Sequence, residues 1–343
     1  MYPTRCRSAS GTHLCSWALL SVFCAAFSAA GCSRPTPTPP AVNGRVIVAL
    51  TIDWEGAYLS PEGLDALDEL RVVFGTAPLT HFISAGYFTK PGPDPSLVQW
   101  IREGVRPGDE VAVHLHAWKS LAVASAVEPK LSPSFLTGTD KLLEFEDGDV
   151  GFDIDLDAYS VGELRALLRT SRRLLEQTKL PLTTTFRAGG YLGTPKVLQA
   201  LQEEGYTVDS SATDYRQLEE RKDDVLPARV KAIWPKVDTG TQPFFIPAPQ
   251  GELLEMPIAA FADYAEPAEI VAIFEAARAR LRQNPTRDQF IVLGFHQETS
   301  VEFGGRLRDA FEQVRKRPEL AQGLSYMTIE QAAARVRAAR SQP

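Results

Sequence analysis

From Arg45 almost to its end, this sequence alternates short apolar runs with segments of helical spacing. The run Arg45–Asp53 (RVIVALTID) is continuous and β-branched, which is typical of a buried strand. The segment Pro61–Phe74 has leucines three residues apart and a proline at its start, which is typical of a helix. Such alternation over about 300 residues predicts parallel strands with right-handed crossovers. A closed (β/α) barrel and an open doubly wound sheet both fit this pattern.

Composition narrows the classes of function. Of the 343 residues, 44% are hydrophobic and 23% are charged, as in ordinary globular proteins. The net charge is −7, and the first 45 residues contain four arginines and no acidic residue, so the remainder is more acidic still. An acidic body is a poor electrostatic partner for nucleic acid, and we expect no nucleic-acid partner.

All four cysteines lie at the start of the chain, the last of them at position 32. The body that follows therefore contains no cysteine of its own, and we expect neither an internal disulfide nor a cysteine-ligated metal site in it. Its stability must come from its apolar core.

The first 44 residues are predicted to be a targeting signal and a tether. Arg5 and Arg7 precede an apolar run, Leu14–Gly31, that ends in small residues directly before Cys32. This pattern predicts a secretory signal over residues 1–31. It resembles a bacterial lipoprotein signal, which implies that Cys32 carries lipid after cleavage and anchors an exported protein to the membrane, in the periplasm or on the outer surface. Residues 32–44 are proline-rich and predict an extended tether; an uncleaved membrane anchor is the alternative for the apolar run.

Polar side chains follow several of the predicted strands. In α/β folds, catalytic groups gather beyond the carboxyl ends of the strands. The third predicted strand, Glu110–Trp118, includes two histidines, and the strand Gln289–His296 ends in a third. The residues at these ends that could carry chemistry are Asp53, Glu55, His114, His116, Arg187, Asp209 and His296.

His114 and His116 are two residues apart, so on a strand their side chains point to the same face. Two imidazoles and a carboxylate from a neighbouring strand, Glu55 or Asp53, would give three protein ligands and leave positions open for catalysis. This pattern predicts a divalent metal, with zinc the first choice and cobalt, nickel or iron as alternatives. The competing interpretation is a structural histidine pair that is satisfied by polar neighbours.

Five short segments resemble, in order, the motifs of the polysaccharide deacetylases of carbohydrate esterase family 4, the NodB-homology fold. The segments are Thr51–Asp53, Gly108–His114, Phe186–Gly189, Gly205–Ser211 and Leu293–His296. The resemblance implies a distorted (β/α)7-type barrel with its site at the mouth. It covers one catalytic domain, residues 45–340, and the long irregular stretch at about 119–157 reads as an insertion.

The resemblance also implies roles. Asp53 corresponds to the catalytic base, Arg187 to the residue that holds the base, and His296 to the general acid. Asp209 is expected to help hold the base and the acid in place. Glu55 and His116 would stand in as metal ligands beside His114, because Trp54 and Trp118 occupy the places of the usual second Asp and second His.

The segment after Arg187 reads Ala188-Gly189-Gly190-Tyr191, where the family usually has Pro then Tyr after the arginine. Backbone N–H groups of Gly190 or Tyr191 are candidate oxyanion donors, because a glycine pair lets the backbone approach a ligand closely. A tight turn is the alternative role of the pair. We further expect Trp54 and Trp118 to contact the substrate.

These features predict metal-dependent hydrolysis of N-acetyl groups on a cell-envelope or exported polysaccharide. Two rival functions stay open. One is a catalytically silent carbohydrate-binding lipoprotein on the same fold, and the other is a deacylase of a small amide or ester.

Overall fold

The computed structural model of the protein describes residues 44–219, 224–248 and 251–341. The predicted signal, Cys32 and all but the last residue of the predicted tether lie outside these ranges, so their assignments stay predictions. Within the described ranges, every helix is too short or too polar to cross a bilayer.

The described strands are β1 (Val46–Trp54), β2 (Leu79–Ser84), β3 (Glu110–Leu115), β4 (Leu182–Ala188), β5 (Val208–Asp209), β6 (Phe244–Ala248), β7 (Gly251–Glu255), β8 (Ala260–Phe261), β9 (Gln289–His296) and β10 (Leu324–Tyr326). The described helices are α1 (Pro61–Phe74), α2 (Leu97–Gly104), α3 (Lys119–Ala124), α4 (Val161–Gln177), α5 (Pro195–Glu203), α6 (Leu226–Ile233), α7 (Pro267–Gln283), α8 (Ser300–Arg315), α9 (Pro318–Ala321) and α10 (Ile329–Arg340). Short 3-10 turns complete several connections.

The strands form a curled, mainly parallel sheet in which β1 is an interior strand. β1 pairs with β9 on one side and with β2 on the other, and β3, β4 and β5 follow in chain order. β7 pairs with β5 and β8 pairs with β9, although only residues 256–259 separate β7 from β8. Backbone hydrogen bonds from Met256 to Asp209 and from Ala259 to Val292, both 2.8 Å, continue these pairings across the gap. This segment connects the two ends of the parallel part of the curled sheet. The predicted distorted (β/α)-type barrel is therefore confirmed, and the open doubly wound sheet is not.

The alternation of side chains along β1 explains why Asp53 points to the inside of the barrel. All nine residues of β1 are buried. Val48, Leu50 and Ile52 pack with the surrounding helices, whereas Ile47 and Ala49 pack inside the barrel. Because side chains alternate between the faces of a strand, Asp53 shares the inner face with Ile47 and Ala49. β1 therefore places Asp53 at the barrel mouth, at the end of a strand that is buried along its whole length.

Three local predictions are wrong. The third strand ends at Leu115, not Trp118, so His116 follows the strand. The stretch between Ser210 and Leu253 contains α6 and β6, where the sequence predicts only irregular structure. The sequence predicts the next helix only from Arg306, whereas α8 begins at Ser300, because the glycine pair Gly304-Gly305 weakens the helical pattern in its first two turns.

Candidate active site and metal centre

The three predicted metal ligands meet at the mouth of the barrel. Glu55 directly follows β1, His114 lies on β3 and His116 follows β3. His114 Nε2 lies 3.5 Å from Glu55 Oε1, and His116 Nε2 contacts Glu55 Oε2. The two imidazole ring centroids are 4.8 Å apart, and all three side chains are buried. These ligand atoms are close enough together to hold one ion.

Backbone carbonyls orient both imidazoles. His114 Nδ1 donates to the carbonyl of Arg187 at 3.1 Å, and His116 Nδ1 donates to the carbonyl of Phe152 at 2.7 Å. Since a carbonyl oxygen only accepts, each Nδ1 carries the hydrogen, and the Nε2 of a neutral ring presents a lone pair towards Glu55.

The atoms that face one another lack partners of their own. His114 Nε2, His116 Nε2 and Glu55 Oε2 are buried, and none has a hydrogen-bond partner within the described part of the chain. Buried polar atoms are normally satisfied, and a cation bound between these acceptors would satisfy all of them. Two imidazole nitrogens and a carboxylate are ligands that suit zinc and related divalent ions. The residues therefore fit a divalent metal, and Glu55 is the carboxylate that completes the set.

Electrostatics favour the ionised form of Glu55. Burial alone raises the pKa of Glu55, but the charges of His116 and His114 outweigh it and bring the pKa well below its usual range. Burial lowers the pKa of His114, but the charges of Glu55 and Asp53 leave it raised overall. The site thus keeps a carboxylate available as a ligand.

The predicted base, Asp53, is held by a buried arginine. Arg187 Nη1 donates to Asp53 Oδ1 at 2.5 Å and to Thr51 Oγ1 at 3.0 Å. On its other side, Arg187 donates to the Ser210 carbonyl at 2.8 Å and to Ser210 Oγ at 3.0 Å, and its guanidinium lies over the ring of Phe82. The arginine is fully buried, so it orients Asp53 from beneath while Asp53 lines the cavity above.

The predicted acid, His296, contacts the carboxylate of Asp263, a residue that the sequence did not predict for the site. His296 Nδ1 lies 3.0 Å from Asp263 Oδ1, and the His296 backbone N–H donates to Asp263 Oδ2 at 3.3 Å. Burial by itself lowers the pKa of His296, but the charge of Asp263 and nearby groups raise it well above its usual value. This environment favours the protonated form of His296, which can donate a proton. The only hint of Asp263 in the sequence is its position just after a predicted strand.

Glu298 is a second residue that sequence reasoning missed. Its carboxylate accepts the backbone N–H of Glu55 at 3.0 Å and the hydroxyl of Tyr87 at 2.5 Å. Burial, with the charge of Glu55 next, raises the pKa of Glu298 to about 7. It lies two residues beyond His296 and fixes the backbone at Glu55.

The expectation that Asp209 holds the base and the acid is wrong. Asp209 Oδ1 accepts the hydroxyl of Ser211 at 2.5 Å, and Asp209 lies next to Glu255 in the paired strand β7. It does not line the cavity. Asp209 therefore supports the turn at Ser210 and Ser211, while Asp263 holds the acid.

The expected substrate contacts of Trp54 and Trp118 are also wrong, because both side chains are fully buried. Trp54 turns to the outer face of β1, where its Nε1 donates to His81 Nδ1 at 3.1 Å. Trp118 Nε1 donates to the carbonyl of Glu55 at 3.0 Å, and Lys90 Nζ lies 3.5 Å from its ring centroid. Trp118 therefore positions a metal ligand from beneath.

The glycine pair lies against the ligands. A Cβ on Gly189 would come within 2.6 Å of the His116 ring. Gly190 and Tyr191 have φ angles of 59° and 63°, in the left-handed region, and both line the cavity. The glycine pair therefore forms a tight turn and also lets the backbone pass close to the His116 ring. Oxyanion binding by Gly190 or Tyr191 stays a prediction.

A cavity of about 480 Å³ opens above these groups. Its floor contains Asp53, Glu55, His114, His116 and His296. A cavity of this size is in the range of small-ligand sites.

Comparisons with known proteins identify the fold. No protein-family model matches the sequence, and no curated protein matches it. Among solved structures, a proposed polysaccharide deacetylase from Mycobacterium smegmatis is similar, with 15% identity and a TM-score of 0.52, over 89% of this chain and 94% of that one. A proposed polysaccharide deacetylase from Pseudomonas aeruginosa PAO1 has 14% identity and a TM-score of 0.52, over 90% and 96%. Puue allantoinase has 14% identity and the same TM-score, over 91% and 97%. This chain therefore has the barrel-like fold of the polysaccharide deacetylases.

Proposed function

We propose that this protein is a metal-dependent hydrolase that removes N-acetyl groups from a cell-envelope or exported polysaccharide. One observation carries the proposal: the ligand set of Glu55, His114 and His116 lies between a buried Arg187–Asp53 pair and a His296–Asp263 pair. The fold supports it, since two proteins that share the fold are proposed polysaccharide deacetylases.

The roles of the side chains follow from their surroundings. Glu55, His114 and His116 would hold the divalent ion, zinc first and cobalt, nickel or iron as alternatives. Such an ion, when bound, polarises an amide carbonyl and acidifies water.

Asp53 accepts a proton from water as the water oxygen bonds to the carbonyl carbon. His296 donates a proton to the amide nitrogen as the C–N bond breaks, which yields acetate and a free amine. Arg187 and Asp263 keep the base and the acid in position.

The predicted N-terminal signal supports an envelope substrate. Lipid on Cys32, with residues 32–44 as a tether, would hold the domain at the membrane surface. A polysaccharide exported across or assembled on that membrane would then be within reach.

The proposal can be tested on the purified full-length chain. We expect about one bound metal per chain, and acetate release from N-acetylglucosamine oligomers that a chelator abolishes. His114→Ala should lose metal and activity together, whereas the matched variant Asp53→Asn should lose activity and keep the metal. Absence of metal, with acetate release unchanged in His114→Ala, would overturn the proposal.

The deacylase of a small amide is a second candidate, because the lining of the cavity is mainly apolar. A protein with the same fold is named an allantoinase, which also fits a small substrate. A clear preference for monomeric over oligomeric N-acetylglucosamine would favour this candidate.

A further inference from the structure

The insertion gives the cavity an apolar wall. Five cavity-lining residues come from the insertion, and none is polar: Phe135, Leu136, Leu143, Phe145 and Phe152. Phe152 stacks on the ring of the metal ligand His116, with centroids 4.2 Å apart and an interplanar angle of 11°. Phe135 and Phe145 lie 6.2 Å and 5.7 Å from Phe152. We call Phe135, Phe145 and Phe152 the phenylalanine wall.

The wall and the proton donor lie on different sides of Glu55. Glu55 Oε2 contacts His116, against which the wall packs, whereas Glu55 Oε1 lies 3.2 Å from His296 Nε2. Aromatic rings also lie near His296, whose ring centroid is 4.8 Å from that of Phe261 and 6.2 Å from that of Tyr264, but its surroundings are more polar than the wall. They include Asp263 and Thr299, whose hydroxyl donates to Asp263. The cavity therefore has an apolar end near His116 and a more polar end near His296.

The chemistry assigns one part of the substrate to each end. His296 protonates the departing nitrogen, so the amine and its sugar must lie on the His296 side. The acyl group, on the other side of the carbonyl carbon, then faces the phenylalanine wall. Sugar hydroxyls placed there would lose their hydrogen bonds, whereas an alkyl chain gains free energy by leaving water.

We infer that the phenylalanine wall binds the acyl group of the substrate and that the site accepts N-acyl chains longer than acetyl, on an amino sugar. This inference rests on the proposed amide hydrolysis. The space supports it: an acetyl methyl is about as large as a water molecule, which takes roughly 30 Å³, whereas the cavity measures about 480 Å³. Water adds to the carbonyl carbon and the C–N bond breaks, so the products are a fatty acid, in place of acetate, and the free amine.

The direct test compares glucosamine acylated with acetyl, butyryl, hexanoyl and octanoyl groups, with the metal-loaded full-length chain and release of the free amine as the readout. We expect kcat/KM to rise by on the order of tenfold from acetyl to hexanoyl, since each methylene buried in an apolar pocket favours binding. A kcat/KM that falls steadily from acetyl onwards would overturn the inference and leave the proposed function intact.

A substitution at the edge of the wall provides a second readout. Leu143 lines the cavity and is 43% exposed, so Leu143→Asp adds charge there with little risk to folding. We expect the ratio of hexanoyl to acetyl turnover to fall at least about fivefold. Val72→Asp is the matched control, because Val72 is 82% exposed on α1 and does not line the cavity. Equal ratios in the two variants would contradict the inference.

Product binding separates this inference from the proposed function. Calorimetry should detect octanoate binding to the full-length chain and none of acetate at the same concentration, and Leu143→Asp should weaken it. Octanoate binding without any amide hydrolysis would overturn the proposed function alone. Hydrolysis of N-acetyl substrates without octanoate binding would overturn the acyl site alone.

Discussion

At the scale of single residues, each side chain at the site is held by another group. Arg187 holds Asp53, Asp263 holds His296, and backbone carbonyls hold both ligand imidazoles. Such supports fix ring orientation and protonation before substrate arrives. Substitutions in the supports should therefore alter catalysis in specific ways.

Asp263→Asn is expected to lower kcat on the order of 100-fold, because a correctly placed acid contributes at least that much. The charge of Asp263 raises the pKa of His296, so its loss lowers that pKa. Since the proposed mechanism uses His296 in its protonated form, the alkaline limb of the pH–rate profile should move to lower pH. Asp140→Asn, at an exposed position of the insertion, should leave the profile unchanged. An unmoved alkaline limb in Asp263→Asn would show that Asp263 does not act through His296.

Gly189→Ala is expected to reduce both metal content and activity at least about tenfold, because the new Cβ displaces the His116 ring. Metal analysis after dialysis measures the first effect and amide hydrolysis the second. Gly162→Ala is the matched control, since a Cβ on Gly162 meets nothing within 4 Å. Full metal occupancy in Gly189→Ala would contradict the proposed close approach.

At the scale of elements, the junction of β5 and β7 contains two adjacent carboxyl groups. Asp209 and Glu255 are in register and fully buried. Burial raises the pKa of Asp209 to about 6, and burial with the charge of Asp209 raises the pKa of Glu255 well above its usual value. The folded protein thus binds protons here more tightly than the unfolded chain, so stability falls as pH rises from about 4 through 6.

Glu255→Gln should remove much of this pH dependence, because an amide keeps a hydrogen bond to Asp209 without a second negative charge. We expect the variant to be more stable than the wild type at pH 8, on the order of 1 to 3 kcal/mol, and nearly equal at pH 4. Urea unfolding at both pH values measures this. Glu252→Gln, at an exposed position of β7, should change stability by less than about 1 kcal/mol at either pH. A difference in stability between pH 4 and pH 8 that is the same in Glu255→Gln as in the wild type would contradict the account.

At the scale of the whole molecule, the ligand set joins parts of the chain that are distant in sequence. Glu55 follows β1, whereas both histidines belong to the end of β3, with β2 between the two strands. An unfolded chain does not hold these ligands together, so a metal ion should bind mainly the folded state and stabilise it.

Zinc at 100 times its dissociation constant should add about 2.7 kcal/mol of stability, which raises the unfolding midpoint by several degrees. Thermal unfolding with zinc and with chelator measures the shift. His114→Gln should show little or none of it. A shift of equal size in wild type and His114→Gln would place zinc elsewhere on the protein.

Local pattern was enough to predict much of this protein. The continuous apolar runs predicted strands that are buried on both faces. Such strands are typical of parallel sheets that are covered by helices. The two-residue spacing placed His114 and His116 at one site, because that geometry is local to a few residues. Asp53, Arg187 and His296 were identified at strand ends and given roles by resemblance. In the structure Asp53 and His296 line one cavity, and Arg187 is buried against Asp53.

Long-range contacts decided the rest. Whether Asp53 or Glu55 faces the histidines depends on how β1 ends against β3, and the partner of His296 depends on how β8 meets β9. The faces of Trp54 and Trp118, and the phenylalanine wall of the insertion, depend on packing between segments far apart in the chain. No short window of sequence encodes these distances, because each is set only when strands and loops from separate regions come together.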